Sequence, residues 1–149
     1  MTWYYQNKIY EPTEEELKEY AGFVYVITEL STGKMYVGKK TFWSKQTRPP
    51  LKGKTRKRRS IVVSDWKNYY GSSGEVLSLL SEHGDDSFKR EIIHLCKNKG
   101  EMSYLEAKVQ FDRNVLLDDN YYNGIINCRV HRSHVKRLAD ERERSERNL

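Results

Sequence analysis

Short blocks of apolar and polar residues alternate along the chain, and their periods differ. Residues 22–30, GFVYVITEL, are rich in β-branched and aromatic side chains and predict a strand. STGK follows, with glycine where a hairpin turn takes one, and KMYVGKK predicts the returning strand. Residues 22–40 therefore read as a β-hairpin. Further on, Ser64 and Asp65 start a short helical turn through WKNYY. GEVLSLLSEHG predicts a helix, with Val76, Leu77, Leu79 and Leu80 apolar and Gly84 as its stop. FKREIIHLC predicts a third strand. Residues 101–117 carry Met102, Leu105, Val109 and Leu116 at helical spacing, with Tyr104 and Phe111 alongside. YYNGIINC reads as a short terminal strand. The order β-β-α-β-α defines an α+β domain, a small, mainly antiparallel three-stranded sheet flanked by helices.

The ends are more polar. Residues 11–20, EPTEEELKEY, predict a short acidic helix, with Thr13 and Glu16 at capping-box spacing. From Arg129 onward charges of both signs alternate, which reads as a polar helix or frayed tail. The expected organisation is an acidic N-terminal extension at 1–20, one domain at 21–128 with an insertion at 39–64, and a charged tail at 129–149.

Composition narrows the class. A chain of 149 residues holds one domain, and 11 Tyr, 3 Trp and 4 Phe supply a core despite 32% charged residues. No apolar run approaches the roughly 20 residues of a membrane span, and no signal-peptide pattern opens the chain. Cys96 and Cys128 do not make a disulfide framework. A membrane protein, a secreted disulfide knot and a coiled-coil rod are excluded. A small cytoplasmic protein with a polyanionic partner is expected.

The distribution of charge identifies that partner. The formal net charge is +6, yet Lys39, Lys40, Lys45, Arg48, Lys52, Lys54, Arg56, Lys57, Arg58 and Arg59 lie together in a stretch without one acid. The remainder of the chain is mildly acidic. Such a segment repels itself until phosphates neutralise it, so nucleic-acid contact is expected here in preference to a solvated loop. Pro49, Pro50 and Gly53 argue against a regular element within it.

Candidate chemistry lies on the hairpin. Its strands contain Phe23-Val24-Tyr25 and Tyr36-Val37-Gly38, the two tyrosines eleven positions apart. Downstream follow YYGSS, then EHGDDSFKREII, then Tyr104-Leu105-Glu106 within the long helix, then Tyr122-Asn123-Gly124. This series resembles the GIY-YIG nuclease superfamily, and within it the phage Seg-type free-standing homing enzymes. Phe23 stands where the family has glycine, and Val37 replaces isoleucine. The landmarks span residues 22–124, about two-thirds of the chain.

The resemblance implies a metal-dependent endonuclease that hydrolyses phosphodiester bonds in DNA, double-stranded by expectation, encoded by a phage or mobile element and working in the host cytoplasm. Glu106 is the implied ligand for Mg²⁺ (or Mn²⁺), one carboxylate anchoring a hard cation whose other positions take water and phosphate. Tyr25 is implied to position or deprotonate the water, and Tyr36 to hold the geometry. A free phenol has a pKa near ~10, so Tyr25 acts as a base only where cations lower it. Asn123 is implied to lie near the site.

The family's phosphate-binding arginine has no clear match, because the usual Arg-x-x-x-His is absent. Arg59 is the first candidate, since it directly precedes the apolar SIVV run; Arg56, Arg58 and Lys67 are alternatives. Tyr69 stands in for the missing histidine. Lys39, Lys40, Arg48, Lys52, Lys54, Arg56, Lys57 and Arg58 are expected on the nucleic acid.

Competing patterns are weaker. Cys96, Cys128, His131 and His134 do not have familiar zinc-finger spacing. There is no P-loop and no nucleophile motif. A non-catalytic nucleic-acid-binding module using the same hairpin is the alternative function; the ordered Tyr, Tyr, Glu and Asn landmarks argue against an RNA-associated basic protein. About 25 residues follow Asn123, too few for a recognition domain with its own core. Relaxed sequence preference, or a protein partner for targeting, is therefore expected.

Overall fold

The computed structural model describes residues 2–147; Met1 and the last two residues of the predicted tail, Asn148 and Leu149, lie outside the described residues. Seven strands and four α-helices are present among them: β1 (Trp3–Tyr5), β2 (Lys8–Ile9), α1 (Glu14–Leu17), β3 (Gly22–Glu29), β4 (Met35–Thr41), β5 (Trp43–Arg48), β6 (Arg58–Val63), α2 (Gly74–His83), β7 (Phe88–Cys96), α3 (Lys99–Asp112) and α4 (Lys136–Arg147).

The predicted hairpin forms β3 and β4, and the predicted third strand forms β7. The sheet, however, has five strands in the order β2-β1-β7-β3-β4, not three. It is mixed, because β1 runs parallel to β7 while β3 pairs antiparallel with both β7 and β4. The two extra strands come from the N-terminal segment expected as an extension. Gln6 and Asn7 adopt φ of 52° and 65°, which makes the tight turn between β1 and β2. Trp3 then enters the core, 3% exposed, and its indole N–H donates to the Trp66 carbonyl at 2.8 Å.

Alternation along β3 sends its side chains to two cores. Phe23, Tyr25 and Ile27 join Trp3, Leu17, Phe42, Trp66, Tyr70, Val76, Phe88 and Ile92 on one face. Val24 and Val26 join Val37, Cys96, Met102 and Val115 on the other, beneath α3. The first core is largely aromatic, and its rings meet edge to face, as Trp3 does with Phe23 at 4.9 Å and Phe42 with Trp66 at 5.1 Å.

Three further expectations change. The basic insertion is not irregular: β5 and β6 pair over six residues each in a separate two-stranded ribbon. Pro49, Pro50 and Gly53 fall in its tip, where a turn is needed, so they bound the strands instead of preventing them. The long helix spans Lys99–Asp112, not 101–117, because Asn114 takes a left-handed φ of 54° that ends it. Its start is capped by Asn98 and Glu101, each accepting the other's backbone N–H. The expected terminal strand reduces to one parallel bridge between Tyr121 and Met35.

The tail forms α4, and one of its residues is structural. Arg137 pairs with the fully buried carboxylate of Glu101, which also accepts the backbone N–H groups of Lys97 and Asn98 at 2.9 and 3.1 Å. No helix among the described residues is long and apolar enough to cross a membrane.

Candidate active site at the edge of the hairpin

The register of β3 against β4 answers what spacing alone left open. Tyr25 faces Gly38 and Ile27 faces Tyr36, so both tyrosines project from the same side of the sheet. Their ring centroids lie 6.4 Å apart. Tyr69 completes a cluster, its ring 6.0 Å from that of Tyr25 and nearly perpendicular to it. Two glycines make room. A Cβ on Gly38 would stand 2.4 Å from the Tyr25 hydroxyl. One on Gly71, where φ is +87°, would stand 3.1 Å from it. The Tyr36 hydroxyl is within 3.2 Å of Ser72 Oγ, so the YYGSS element closes over the hairpin.

Glu106 approaches from the opposite side. It sits on α3, which covers the other face, and its one ion-pair partner among the described residues is Lys39, with Nζ 3.9 Å from Oε1. Lys39 Nζ also donates to Ser103 Oγ at 2.9 Å. Only Val37 and Gly38 separate Tyr36 from Lys39 along β4, so the phenols and the carboxylate flank one short stretch of strand. The field of Glu106 is accordingly among the causes that raise the pKa of Tyr25 and of Tyr36.

The titration directions decide roles. Burial pushes the Tyr25 phenol well above its ordinary value, helped by Tyr69 and Tyr36. No residue of the basic insertion lowers it. In the metal-free protein burial is thus the largest influence on the Tyr25 phenol. Burial also raises the pKa of Glu106, partly offset by Lys39.

A cation would suit Glu106. Its side chain is 13% exposed, and its carboxylate receives no hydrogen bond among the described residues. A desolvated carboxylate with one distant ammonium lacks positive charge. No cluster of three or more His, Cys, Asp or Glu able to hold a metal occurs among the described residues, so Glu106 would be a lone protein ligand. The set of Cys96, Cys128, His131 and His134 forms no such cluster.

Asn123 lies beside the site, on the backbone of the Tyr36-Val37-Gly38 strand. Its Oδ1 accepts the Val37 N–H at 3.0 Å and its Nδ2 donates to the Val37 carbonyl at 2.8 Å. Gln110 Nε2 donates to the same carbonyl at 3.2 Å. Both Asn123 groups are used as a strand would use its backbone, on the open edge of β4. Asn123 therefore holds the Tyr36-Val37-Gly38 strand in place.

The phosphate-clamp candidates are scattered. Arg59 is exposed on β6 opposite Thr47, and among the described residues it makes no ion pair with the site. Arg58 donates to the Pro49 carbonyl at 3.3 Å. Lys67 lies 5.8 Å over the Trp66 ring, beside a cavity lined by Trp3, Tyr10 and Pro12. The cation beside the phenols is instead Lys40, while Lys39 lies on the other face beside Glu106. Lys40 Nζ sits 4.2 Å over the Tyr69 ring and 2.6 Å from Asp65 Oδ1. Arg48, Lys52, Lys54, Arg56 and Lys57 are exposed at the far end of the ribbon.

One residue escaped the sequence reading. Arg90 on β7 is 1% exposed, sandwiched between the rings of Trp3 at 4.5 Å and Tyr70 at 4.3 Å. Its Nη1 donates to the Tyr69 carbonyl at 2.8 Å, which fixes the cluster's third tyrosine from below. Burial lowers its pKa. The available signal was parity, because Arg90 alternates with Phe88 and Ile92 on an inward face.

The five-stranded mixed sheet, with paired tyrosines on its edge hairpin and a glutamate on the covering helix, is consistent with a GIY-YIG domain. The family model described as "Putative endonuclease segE, GIY-YIG domain" matches residues 3–126, and the chain belongs to that family. The match begins at β1, so the N-terminal hairpin falls within the matched domain. Neither the curated proteins nor the solved structures give a match. Membership supports a nuclease, and hence a nucleic-acid substrate.

Proposed function

We propose that the protein is a metal-dependent endonuclease that hydrolyses phosphodiester bonds in double-stranded DNA. The observation that carries this reading is that the two hairpin phenols meet at Gly38 while the desolvated carboxylate of Glu106 lies beside the adjoining Lys39, near enough for its charge to act on both phenols. Mg²⁺ or Mn²⁺ held by Glu106 would stabilise the charge that develops on the phosphate and the leaving oxygen. Tyr25, neutral and held rigidly in the aromatic core, orients the attacking water by hydrogen bonding. Tyr36 is locked by Ser72 and braces the same pocket. Lys39, beside Glu106 and partly exposed, meets the scissile phosphate; Lys40 holds Tyr69 in place. The exposed cations of the β5–β6 ribbon add contacts to more distant phosphates.

Supercoiled plasmid DNA tests this directly. Nicked or linear product should accumulate with Mg²⁺ and not with EDTA. Glu106→Gln should lower the rate by about 100-fold or more while DNA binding and folding persist, because only one charge at the ligand position is lost. Cleavage that continues in EDTA, or a Glu106→Gln protein that cuts at the wild-type rate, would sink the assignment.

A further inference from the structure

The β5–β6 ribbon projects from the domain, and its register sorts its side chains onto two faces. Trp43 pairs with Val63, Lys45 with Ile61 and Thr47 with Arg59 on one face. Ser44 pairs with Val62, Gln46 with Ser60 and Arg48 with Arg58 on the other. The first face is open beyond Trp43: Ile61 is 69% and Val63 44% exposed. Ser60 and Val62 on the second are partly buried. Anchorage is at the base, where the Trp43 indole N–H donates to the Tyr20 carbonyl at 2.9 Å and Ser64 Oγ donates to the Thr41 carbonyl at 2.6 Å.

We propose that this ribbon enters the major groove of duplex DNA, with Lys45, Thr47, Arg59 and Ile61 facing the base edges. The inference rests on the nuclease reading and adds where sequence is read. Charge supports it first. From Trp43 to Val63 the ribbon holds eight basic residues and no acid, so a second ribbon is repelled and a polyanion is drawn in. Exposed β-branched residues among those cations call for a partner with apolar spots between its anions. The thymine methyl group in the major groove is such a spot, and Arg and Lys reach guanine there.

Dimensions agree. Two strands about 4.8 Å apart, with their side chains, fill a groove about 12 Å wide. Six residues at about 3.3 Å each reach about 20 Å, or roughly six base pairs at about 3.4 Å. The major groove of an A-form RNA duplex is too narrow and deep for such a ribbon. The tip, with Lys52, Lys54, Arg56 and Lys57, is then left for the flanking phosphates, and these contacts position without specifying.

The experiment is selection of bound sequences from a random duplex DNA library by the full chain in EDTA, with affinity measured against salt. Wild type should enrich a motif of about six base pairs. Ile61→Ser should lose preference at its thymine positions while the slope of log affinity against log salt stays the same. Replacing Lys45 and Arg59 together by Gln should flatten preference by about tenfold, with a smaller change in slope than two phosphate contacts would give. Replacing Arg56 and Lys57 by Gln should weaken all sequences alike, keep the motif and make the slope shallower by about 1.8, at about 0.9 per phosphate contact. The proposal is overturned if wild type enriches no motif, if the motif survives both the Ile61 and the Lys45/Arg59 changes, or if duplex RNA binds more tightly. A chain that selects a motif but never cuts with Mg²⁺ upholds the ribbon and sinks the nuclease reading. A chain that cuts but selects nothing does the reverse.

Discussion

Gly38→Ala is the sharpest small perturbation of the site. A Cβ at this position would lie 2.4 Å from the Tyr25 hydroxyl, 2.6 Å from its Cζ and 3.1 Å from Tyr36 Cε1. Ordinary contact begins at 3.4 Å, so the hydroxyl must retreat by about 1 Å. A phenol at the end of a flexible side chain would swing aside at little cost. Tyr25 is instead 1% exposed and hemmed in by Trp3 at 5.4 Å, Phe23 at 5.9 Å and Tyr69 at 6.0 Å. The strain therefore falls on both the aromatic core and β4. Overpacking by one methyl should cost about 1–3 kcal/mol of stability. A displacement of about 1 Å at a group that orients the reaction should cost about 100-fold in rate. Urea denaturation measures the first and single-turnover nicking under saturating enzyme measures the second. Gly124→Ala is the control, since its Cβ meets nothing within 4 Å, and it should change stability by no more than about 0.5 kcal/mol. A Gly38→Ala protein with unchanged urea midpoint and wild-type nicking would refute the argument that Tyr25 is held against this edge.

Three other outcomes are expected. Burial raises the pKa of Glu106 while Lys39 lowers it, so in metal-free protein its carboxyl should titrate above the ordinary value of about 4.3 by NMR, and Lys39→Met should move it higher; a titration that ignores Lys39 would contradict this. Burial holds the phenols of Tyr25, Tyr36 and Tyr70 above their ordinary value and pushes Tyr10 to about 12. Because unfolded phenols ionise near ~10, the stability from keeping these groups neutral is complete below that pH and is lost as pH rises through the folded values; urea midpoints that do not fall between pH 9 and 11 would contradict this. Arg137→Met should leave the Glu101 carboxylate buried without its cation and cost about 1–3 kcal/mol, less than for a fully enclosed pair because Arg137 reaches solvent. Deleting 138–149 should spare this contribution and deleting 137–149 should remove it, as urea titration of the two truncations will tell.

Elements with strong periodicity or a dense β-branched run were legible in the sequence. The hairpin at β3–β4, the strand β7 and both longer helices lie where pattern put them, give or take a turn. The N-terminal hairpin was not, because Trp3–Tyr5 is three residues long and its Gln6-Asn7 turn carries no glycine. Strand type there depends on Trp3 finding a place beside Trp66, which is 63 positions away. The ribbon was misread for another reason. Prolines argue against a strand only inside it, and the position of Pro49 and Pro50 at a tip depends on the pairing of Arg48 with Arg58, which no local pattern reports.

The site divides along the same line. Tyr25, Tyr36 and Glu106 could be named because a motif carries them, but their roles depend on burial, which the motif does not. A phenol in water can be activated by nearby cations; the Tyr25 phenol is enclosed by aromatic rings, and in the metal-free protein burial is the largest cause that holds its pKa up. Asn123 shows the converse. Read as a residue near the chemistry, it spends both polar groups on Val37, at the exposed edge of the strand that bears Tyr36 and Gly38. An edge strand slips or pairs with another chain unless something occupies its N–H and C=O. Tyr36 and Lys39 project from opposite faces of β4, and a slip of one residue would exchange them. Together the β3–β4 ladder, Asn123 and Gln110 hold that register, so a residue that need not touch the substrate still decides which side chains reach it.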